Sequence, residues 1–535
     1  MTDEMVSLNP ATEEVLGGVP LASREDVSRA VNWAMKAQEK WGGLAPRDRS
    51  QRLKRVLDVL VARMEEVALL ISTEQGKTLS ESYCMEIFPA LEGLDFAVNR
   101  AWRSLVPRRV RPWTPVFASH RMEARYEPLG VVAVISPWNY PFAIPFLEVL
   151  SALVAGNGVV LKPSPYTPLV GALVGELFQV ESIPRGLVQV VQGGGEVGRW
   201  LVTHPGVSGV FFTGSVETGK KVYQAAAPGL KKLVLELEGK DPAIVLADAD
   251  MDYTVQGILW AAMANAGQSC ASVELVLVHK FIFDRFVIAL AEKARGLRVG
   301  SPLEALVDVG PLSNRPQYEK VLAQLEEARE AGVEVLGGEP LEGKGFFMKP
   351  AVVVNPPRGL RVVEEETFGP VVSVIPFGEV EEAIAFANGL PYGLTASVWT
   401  TNPSCGERFA QHLRYGVVTV NDHLFTFAEP QLPWGGFRNS ALGRGHGLPG
   451  LMELVEPKAV ARTYCYRSRL WWYPYSRDLV NIMKANIRGF FSPSLAERWR
   501  ELFTLPLSGR VRERVDLKDF VVRGVFRLLR VLGGR

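Results

Sequence analysis

The sequence predicts an α/β protein built on a doubly wound parallel sheet, and three observations carry that expectation. Short runs at 131–135, 159–161, 188–191, 210–212, 233–235 and 243–246 are apolar at consecutive positions rather than alternate ones. A strand that is apolar on both sides is covered on both sides, which is the condition of a parallel sheet. Helical stretches, such as 148–154 and 169–178, separate the runs and are long enough to cross over and return the chain parallel. The alternation resumes between about 240 and 430, with a helix at 317–331, an apolar run at 351–354 and a helix near 379–387. This second series predicts a further α/β region.

The flanking segments have other patterns. Residues 24–76 read as helical, with Ser23 as a cap and Val27, Ala30, Val31, Ala34 and Ala37 at helical spacing. A second helix is expected from about 48 to 74, where Leu53, Val56, Leu57 and Leu60 repeat. Residues 107–128 hold Pro107, Pro112 and Pro115 and then alternate in polarity, the signature of an extended arm or hairpin. After about 466 the composition turns to arginine and aromatics. Val522, Val525, Phe526, Leu529 and Leu532 recur at helical spacing beside Arg523, Arg527 and Arg530, a basic amphipathic pattern. Docking of this tail on a neighbouring subunit is the preferred expectation. A lid over the substrate entrance and contact with an anionic membrane surface are the alternatives.

Composition excludes several classes. A chain of 535 residues with 47% hydrophobic and 22% charged residues can bury large cores, and its net charge of +1 does not mark a nucleic-acid binder. No apolar run is long enough to span a bilayer, and the opening Met-Thr-Asp-Glu-Met lacks a basic region before an apolar one, so a cytoplasmic protein is expected. Cys84, Cys270, Cys405 and Cys465 lie far apart without a C-x-x-C pair, so neither a metal site nor a redox pair is expected. The ordinary role of such a cysteine is that of a small buried hydrophobe.

Cys270 departs from that role through its neighbours. Asn265-Ala-Gly-Gln-Ser-Cys270 sets the thiol beside glycine and amide groups, at what reads as a loop-to-helix junction. Exposed backbone N–H groups there would favour a thiolate and stabilise a nearby oxyanion, so a nucleophile is expected. Leu235-Glu-Leu-Glu-Gly-Lys240 lies 34 residues upstream, from Glu236 to Cys270. Four further segments stand in order around these two. They are Ile135-Ser-Pro-Trp-Asn-Tyr-Pro-Phe142, Glu364-Glu-Glu-Thr-Phe-Gly-Pro370, Pro433-Trp-Gly-Gly-Phe-Arg-Asn-Ser440 and Gly443-Arg-Gly-His-Gly447.

Together the six segments resemble the aldehyde dehydrogenase superfamily, over roughly residues 5–462. The resemblance implies oxidation of a small-molecule aldehyde to a carboxylic acid with NADP and/or NAD. It makes Cys270 the nucleophile, Glu236 the base that activates water against the thioester, and Asn139 a donor to the oxyanion. Around the cofactor it places Ser136, Trp138, Lys162, Ser164, Gly194, Phe212, Thr213, Gly214, Ser215, Thr218, Gly219, Leu237, Glu366 and Phe368. Along the substrate channel it places Tyr140, Phe142, Ile144, Phe146, Phe425 and Trp434, most of which suit a medium-chain aliphatic or aromatic aldehyde. No metal is implied.

The same resemblance divides the chain. It implies a cofactor domain from 1–107 and 127–239, a catalytic domain at 240–432, and a return to the cofactor domain at 433–456. The segments 108–126 and 457–466 are implied to be the oligomerisation strands of a homodimer or homotetramer, and 467–535 is an extension.

Several positions depart from the family pattern. Pro165 stands where NAD-preferring members carry a glutamate, which removes a carboxylate that would repel a 2′-phosphate, so NADP is expected to be accepted at least as readily as NAD. Glu238 replaces a common glycine and is expected to point to solvent. Gly445 stands where many members have glutamate. Leu275 replaces an arginine, which leaves no sign of a carboxylate-binding group beside the nucleophile. Glu148 is either a second proton relay or a helix-face carboxylate. Two alternatives remain open: an acylating enzyme that passes the thioester to coenzyme A, which generally lacks the base at the Glu236 position, and an inactive scaffold of the same fold.

Overall fold

The computed structural model describes residues 4–113, 117, 119–464 and 471–503. The chain divides into two compact units, Met1–Leu105 with Glu127–Glu456, and Val106–Tyr126 with Pro457–Arg535.

The first unit holds both expected α/β regions. One sheet has six strands in the order Ala441–Leu442, Lys232–Glu236, Val207–Thr213, Val131–Ile135, Gly158–Lys162, Val188–Val190. The last five are mutually parallel, and Ala441–Leu442 adds an antiparallel edge. Strand order runs outward both ways from Val131–Ile135, so the sheet is doubly wound. All five residues of Val131–Ile135 and of Gly158–Lys162 are buried, which accounts for their unbroken apolar runs. The helix Arg24–Gly42 covers one face through Val27, Ala30, Val31 and Ala34, and packs with Val131, Ala133 and Val160. Its start is fixed by Ser23 and Asp26, each accepting the other's backbone N–H.

The second sheet has seven strands in the order Glu334–Gly337, Ala351–Val354, Val371–Phe377, Val273–His279, Asp241–Val245, Thr395–Trp399, Val417–Val420. Only the edge strand Glu334–Gly337 runs antiparallel to its neighbour. The run at 243–246, which continues the first alternation in sequence, therefore pairs in this second sheet. Four residues, 237–240, carry the chain from one sheet to the other.

Two local expectations are corrected. The helix expected over 48–74 is two, Pro46–Ala62 and Met64–Gln75, broken at Arg63 with φ −109° and ψ 10°. The Arg63 guanidinium bridges Glu66 and Glu176 there, and no glycine or proline announces the break. The helix expected from 148 begins at Ala143, and Ala143–Ala155 is buried almost throughout because neighbours enclose it on all sides. Helical residues after Thr78 widen into a π turn, Ser82–Ile87, before continuing as Phe88–Asn99. Such turns recur at functional sites because the extra residue re-aims the side chains beside it.

In the second unit, Arg108–Val110 and His120–Pro128 pair as an antiparallel hairpin, and Val455–Thr463 lies on the other side of His120–Pro128. Two helices follow, Arg477–Phe491 and Leu495–Phe503. The basic amphipathic pattern at 522–532 lies outside the described residues. Among the described residues, no helix is long and apolar enough to cross a membrane.

Candidate active site

The first sheet ends at Glu236, and the strand Val273–His279 of the second begins just after Cys270. The carboxyl end of one sheet therefore meets the amino end of the other. Cys270 sits on a turn that follows the helix Met251–Met263 and a short 3₁₀ segment, Ala264–Gly267. The loop-to-helix junction expected from the sequence is thus a helix-to-strand turn. What shapes it is two consecutive left-handed residues, Asn265 (φ 55°) and Ala266 (φ 53°). An unusual backbone of this kind persists only where the surroundings over-determine it. Here Glu81 accepts the Asn265 N–H at 2.7 Å, Gln75 Nε2 donates to Asn265 Oδ1 at 2.9 Å, and Gln268 Oε1 accepts the Ser313 N–H at 2.8 Å.

Two glycines let the segments close on one another. A β-carbon on Gly239 would stand 2.3 Å from the Cys270 carbonyl oxygen, so only glycine lets the residues after Glu236 press on the nucleophile's backbone. Gly267, at φ +69°, approaches the loop that follows Glu366, where a β-carbon would meet the Gly369 carbonyl at 1.9 Å.

Asn139 is held by the same network. Its Nδ2 donates to the Gln268 carbonyl at 3.0 Å, and its own carbonyl accepts from Lys77 Nζ at 2.9 Å and Asn265 Nδ2 at 3.0 Å. Lys77 is fully buried, pairs with Glu86 at 2.6 Å, and lies 4.1 Å from the centre of the Tyr140 ring. Glu86 in turn accepts the backbone N–H groups of Phe142 and Ala143. Lys77, Glu81, Glu86 and Gln75 escaped the sequence reading. Their only signal there is polar residues on helical turns with an apolar pattern.

An apolar cavity of about 360 Å³ reaches Cys270. Tyr140, Ile144, Phe425 and Trp434 line it, together with Phe88 and Trp260. Phe142 and Phe146 do not: they stack on each other at 5.2 Å, and Phe146 continues onto Phe178 at 5.0 Å. Once the helix begins at Ala143, Ile144, Leu147 and Glu148 share the cavity side, and positions 142 and 146 turn into the core. No lysine or arginine lines the cavity.

Glu236 and Glu148 both line it. Neither oxygen of Glu236 has a hydrogen-bond partner among the described residues. Burial pushes its pKa well above the usual carboxylate range, repulsion from Glu148 adds to that, and Arg444 opposes it. Glu148 accepts the Thr213 hydroxyl at 2.9 Å through one oxygen, and burial raises its pKa to about 8. Gly445 leaves room at the base, since a β-carbon there would stand 3.4 Å from Glu236 Oε1. Burial first, then Glu366, Asp241 and Glu236, raise the Cys270 thiol well above its normal value, which opposes the thiolate expected from the sequence.

The expected cofactor residues fall into groups. Lys162 and Ser136 close adjacent strands of the first sheet, and the Ser136 N–H donates to the Lys162 carbonyl at 3.1 Å. Among the described residues the buried Ser136 hydroxyl has no partner, and Lys162 Nζ, its pKa lowered to about 8 by burial, donates to the Pro163 carbonyl. Ser164 accepts the Tyr166 N–H. Gly194 caps the helix Gly195–Thr203, and side chains added at Gly194 or Gly195 would meet nothing within 4 Å.

Phe212, Thr213 and Gly214 close the strand Val207–Thr213, and the Gly214 N–H donates to the Glu236 carbonyl. Ser215 caps the helix Val216–Ala226, accepting the Thr218 N–H, and Gly219 packs on Leu237. Glu238 is half-buried rather than solvent-facing, and it takes the Val216 backbone N–H at that same helix start. Trp138 and Phe368 meet edge-on at 5.4 Å. Glu366 accepts the Gly239 N–H, and Glu274 holds the loop by accepting the N–H groups of Thr367 and Phe368 while pairing with Lys240.

A doubly wound parallel sheet of this order is the architecture of nucleotide-binding proteins, and an apolar cavity lined by Cys270, Glu236 and Glu148 lies in the same compact unit. The chain belongs to the aldehyde dehydrogenase family, whose model matches residues 1–460. Similar solved structures include the NAD+ complex of an aldehyde dehydrogenase from Bacillus cereus, at 34% identity and TM-score 0.82, covering 86% of this chain and 94% of that one. An NADP-dependent enzyme of E. coli matches at 32% identity and TM-score 0.82, over 86% of this chain and 95% of that one. An NAD-dependent aldehyde dehydrogenase from Sinorhizobium meliloti matches at 34% identity and TM-score 0.83, over 88% and 93%.

Proposed function

We propose that this enzyme oxidises medium-chain aliphatic or aromatic aldehydes to carboxylic acids, with Cys270, Glu236 and Asn139 as the catalytic groups and NADP or NAD as cofactor. The observation that carries the substrate class is the cavity at Cys270, which is apolar and lined by no cationic side chain. A semialdehyde bearing a carboxylate would find no lysine or arginine there as counter-ion.

Once deprotonated, Cys270 Sγ adds to the aldehyde carbon. The second N–H of Asn139 Nδ2 remains for the oxyanion, since the first is given to the Gln268 carbonyl. The dinucleotide, when bound, supplies the hydride acceptor. Cys270 then holds the acyl group as a thioester. Glu236, without a hydrogen-bond partner among the described residues, accepts a proton from water as that water attacks the acyl carbon and the C–S bond breaks, which releases the acid and leaves Cys270 as the thiolate. Glu148 lies beside the base and receives the proton in turn.

The unpartnered Ser136 hydroxyl, the buried Lys162 ammonium and the open N-terminus at Gly194 fit a dinucleotide's ribose and phosphate oxygens. Pro165 is exposed next to Lys162, so a 2′-phosphate meets a cation and no carboxylate. Glu238 takes up part of the helix start at Val216, which sets Ser136, Lys162 and Gly194 as the principal phosphate-side contacts. The reading includes a cytoplasmic homodimer or homotetramer assembled through the 108–126 hairpin and the strand near 457–466.

The test is aldehyde-dependent reduction of NADP and NAD with hexanal or benzaldehyde, for the wild type and Cys270→Ala. Activity in the wild type that falls by about 10⁴-fold or more in the variant is expected. A kcat/KM strongly favouring NAD would overturn the Pro165 argument, and a coenzyme A requirement would overturn hydrolysis by Glu236.

A further inference from the structure

The helix Arg477–Phe491 is amphipathic twice over. Leu479, Ile482, Asn486 and Gly489 form its buried face. Beside that face Val480, Met483, Ile487 and Phe491 recur at i, i+3, i+7 and i+11, and they are 50%, 38%, 56% and 62% exposed. At 3.6 residues per turn these four fall within a stripe about 80° wide. Along one edge of that stripe stand Arg477, Lys484 and Arg488, all exposed, with Arg488 also 3.9 Å from the Glu501 carboxylate of the next helix. Asp478, the one acidic residue of the helix, lies well away from it. Just before the helix, Trp472, Tyr473 and Tyr475 are 55%, 80% and 63% exposed.

Charge is divided in the same way. Residues 467–535 carry 15 Lys and Arg against 6 Asp and Glu, a net +9, so the remainder of a chain whose total is +1 carries −8. An apolar stripe without a partner among the described residues, edged by cations and preceded by amphipathic aromatics, has the chemistry of a helix that lies in the plane of a bilayer. The apolar side chains enter the acyl boundary, the basic stems reach outward to phosphate, and tryptophan and tyrosine rest at headgroup depth. Packed on its own counterpart in a second copy, the stripe would meet an equally basic surface across a two-fold axis, and the like charges would oppose that pairing; docking on the net-acidic remainder of a second copy is the outcome that the particle mass reads.

We infer that the C-terminal extension is an interfacial anchor that binds the surface of an anionic lipid bilayer through the exposed face of Arg477–Phe491. The inference is independent of the catalytic reading.

The experiment is co-sedimentation of the full chain with vesicles of phosphatidylcholine alone and of phosphatidylcholine with phosphatidylglycerol, at low and high salt. Binding is expected only to the anionic vesicles, weakening as salt screens the basic edge. Ile487→Glu with Phe491→Glu should abolish it. Lys484→Ala with Arg488→Ala should lower partitioning about 25-fold, at roughly a fivefold loss per cation. All four positions are exposed, so an unchanged circular-dichroism spectrum and thermal midpoint in both variants would report that the fold is intact. Absence of sedimentation with anionic vesicles would overturn the anchor, as would binding that both variants retain. A native particle mass that falls in the Ile487→Glu, Phe491→Glu variant, with no vesicle binding by the wild type, would assign the stripe to a second copy instead.

Discussion

Glu86 and Glu236 are both buried carboxylates in the same compact unit, yet they are held in opposite ways. Burial raises the pKa of each. Glu86 is then opposed by everything around it: an ion pair with Lys77 and two backbone N–H groups. Glu236 has no hydrogen-bond partner among the described residues, and the largest influence on it after burial is a second carboxylate, Glu148. The difference separates two tasks. A donor such as Asn139 works best when it cannot move, because a preorganised dipole costs no reorganisation during reaction. A base must exchange protons near neutral pH and change partners between steps, so it is left unpartnered and shifted upward.

The comparison can be broken most severely at the base. Glu236→Gln should lower steady-state turnover about 10²–10⁴-fold while the first turnover of reduced nucleotide survives, and intact mass should show acyl-enzyme accumulating. Loss of the first turnover as well would mean that Glu236 also activates the thiol. Asn139→Ala should lower kcat about 10²–10³-fold with little change in binding of the dinucleotide.

Lys77→Met tests the rigid side. It leaves Glu86 buried without its cation, which should cost about 3–5 kcal/mol in chemical denaturation and reduce kcat with it, because the Asn139 carbonyl loses a donor. A stable variant with unchanged kcat would show that Asn265 alone positions Asn139.

Glu148→Gln should have the smallest effect and the most informative one. The acid limb of the rate profile requires ionised Glu236. Glu148 raises the Glu236 pKa by repulsion, so removing its charge should move that limb to lower pH. An unmoved limb would make Glu148 a helix-face carboxylate only.

Much of this was legible before the structure. The strands of the first sheet could be read because burial on both faces leaves continuous apolar runs, and Cys270, Glu236 and Asn139 stood out through their neighbours. The Cys270 turn was harder. Its shape depends on left-handed conformations at Asn265 and Ala266, which Glu81 and Gln75 impose from nearly two hundred residues away. The side from which Phe142 and Phe146 were removed depended on where one helix starts, the least readable feature of any sequence. Lys77 and Glu86 were invisible for a related reason: a buried ion pair leaves the same letters in a sequence as a solvated one.

The contact between Gly239 and the Cys270 carbonyl also bears on how the enzyme can change over generations. A backbone oxygen fills the space of a β-carbon there, so position 239 admits no side chain without moving the nucleophile. The cavity wall is under no such restriction. Phe88, Trp260 and Phe425 come from separate parts of the chain and are about half exposed. Drift can therefore reshape what enters the cavity while the geometry of the chemistry stays where it is. A lineage built on this plan is free to acquire new aldehydes without having to reinvent how it oxidises them.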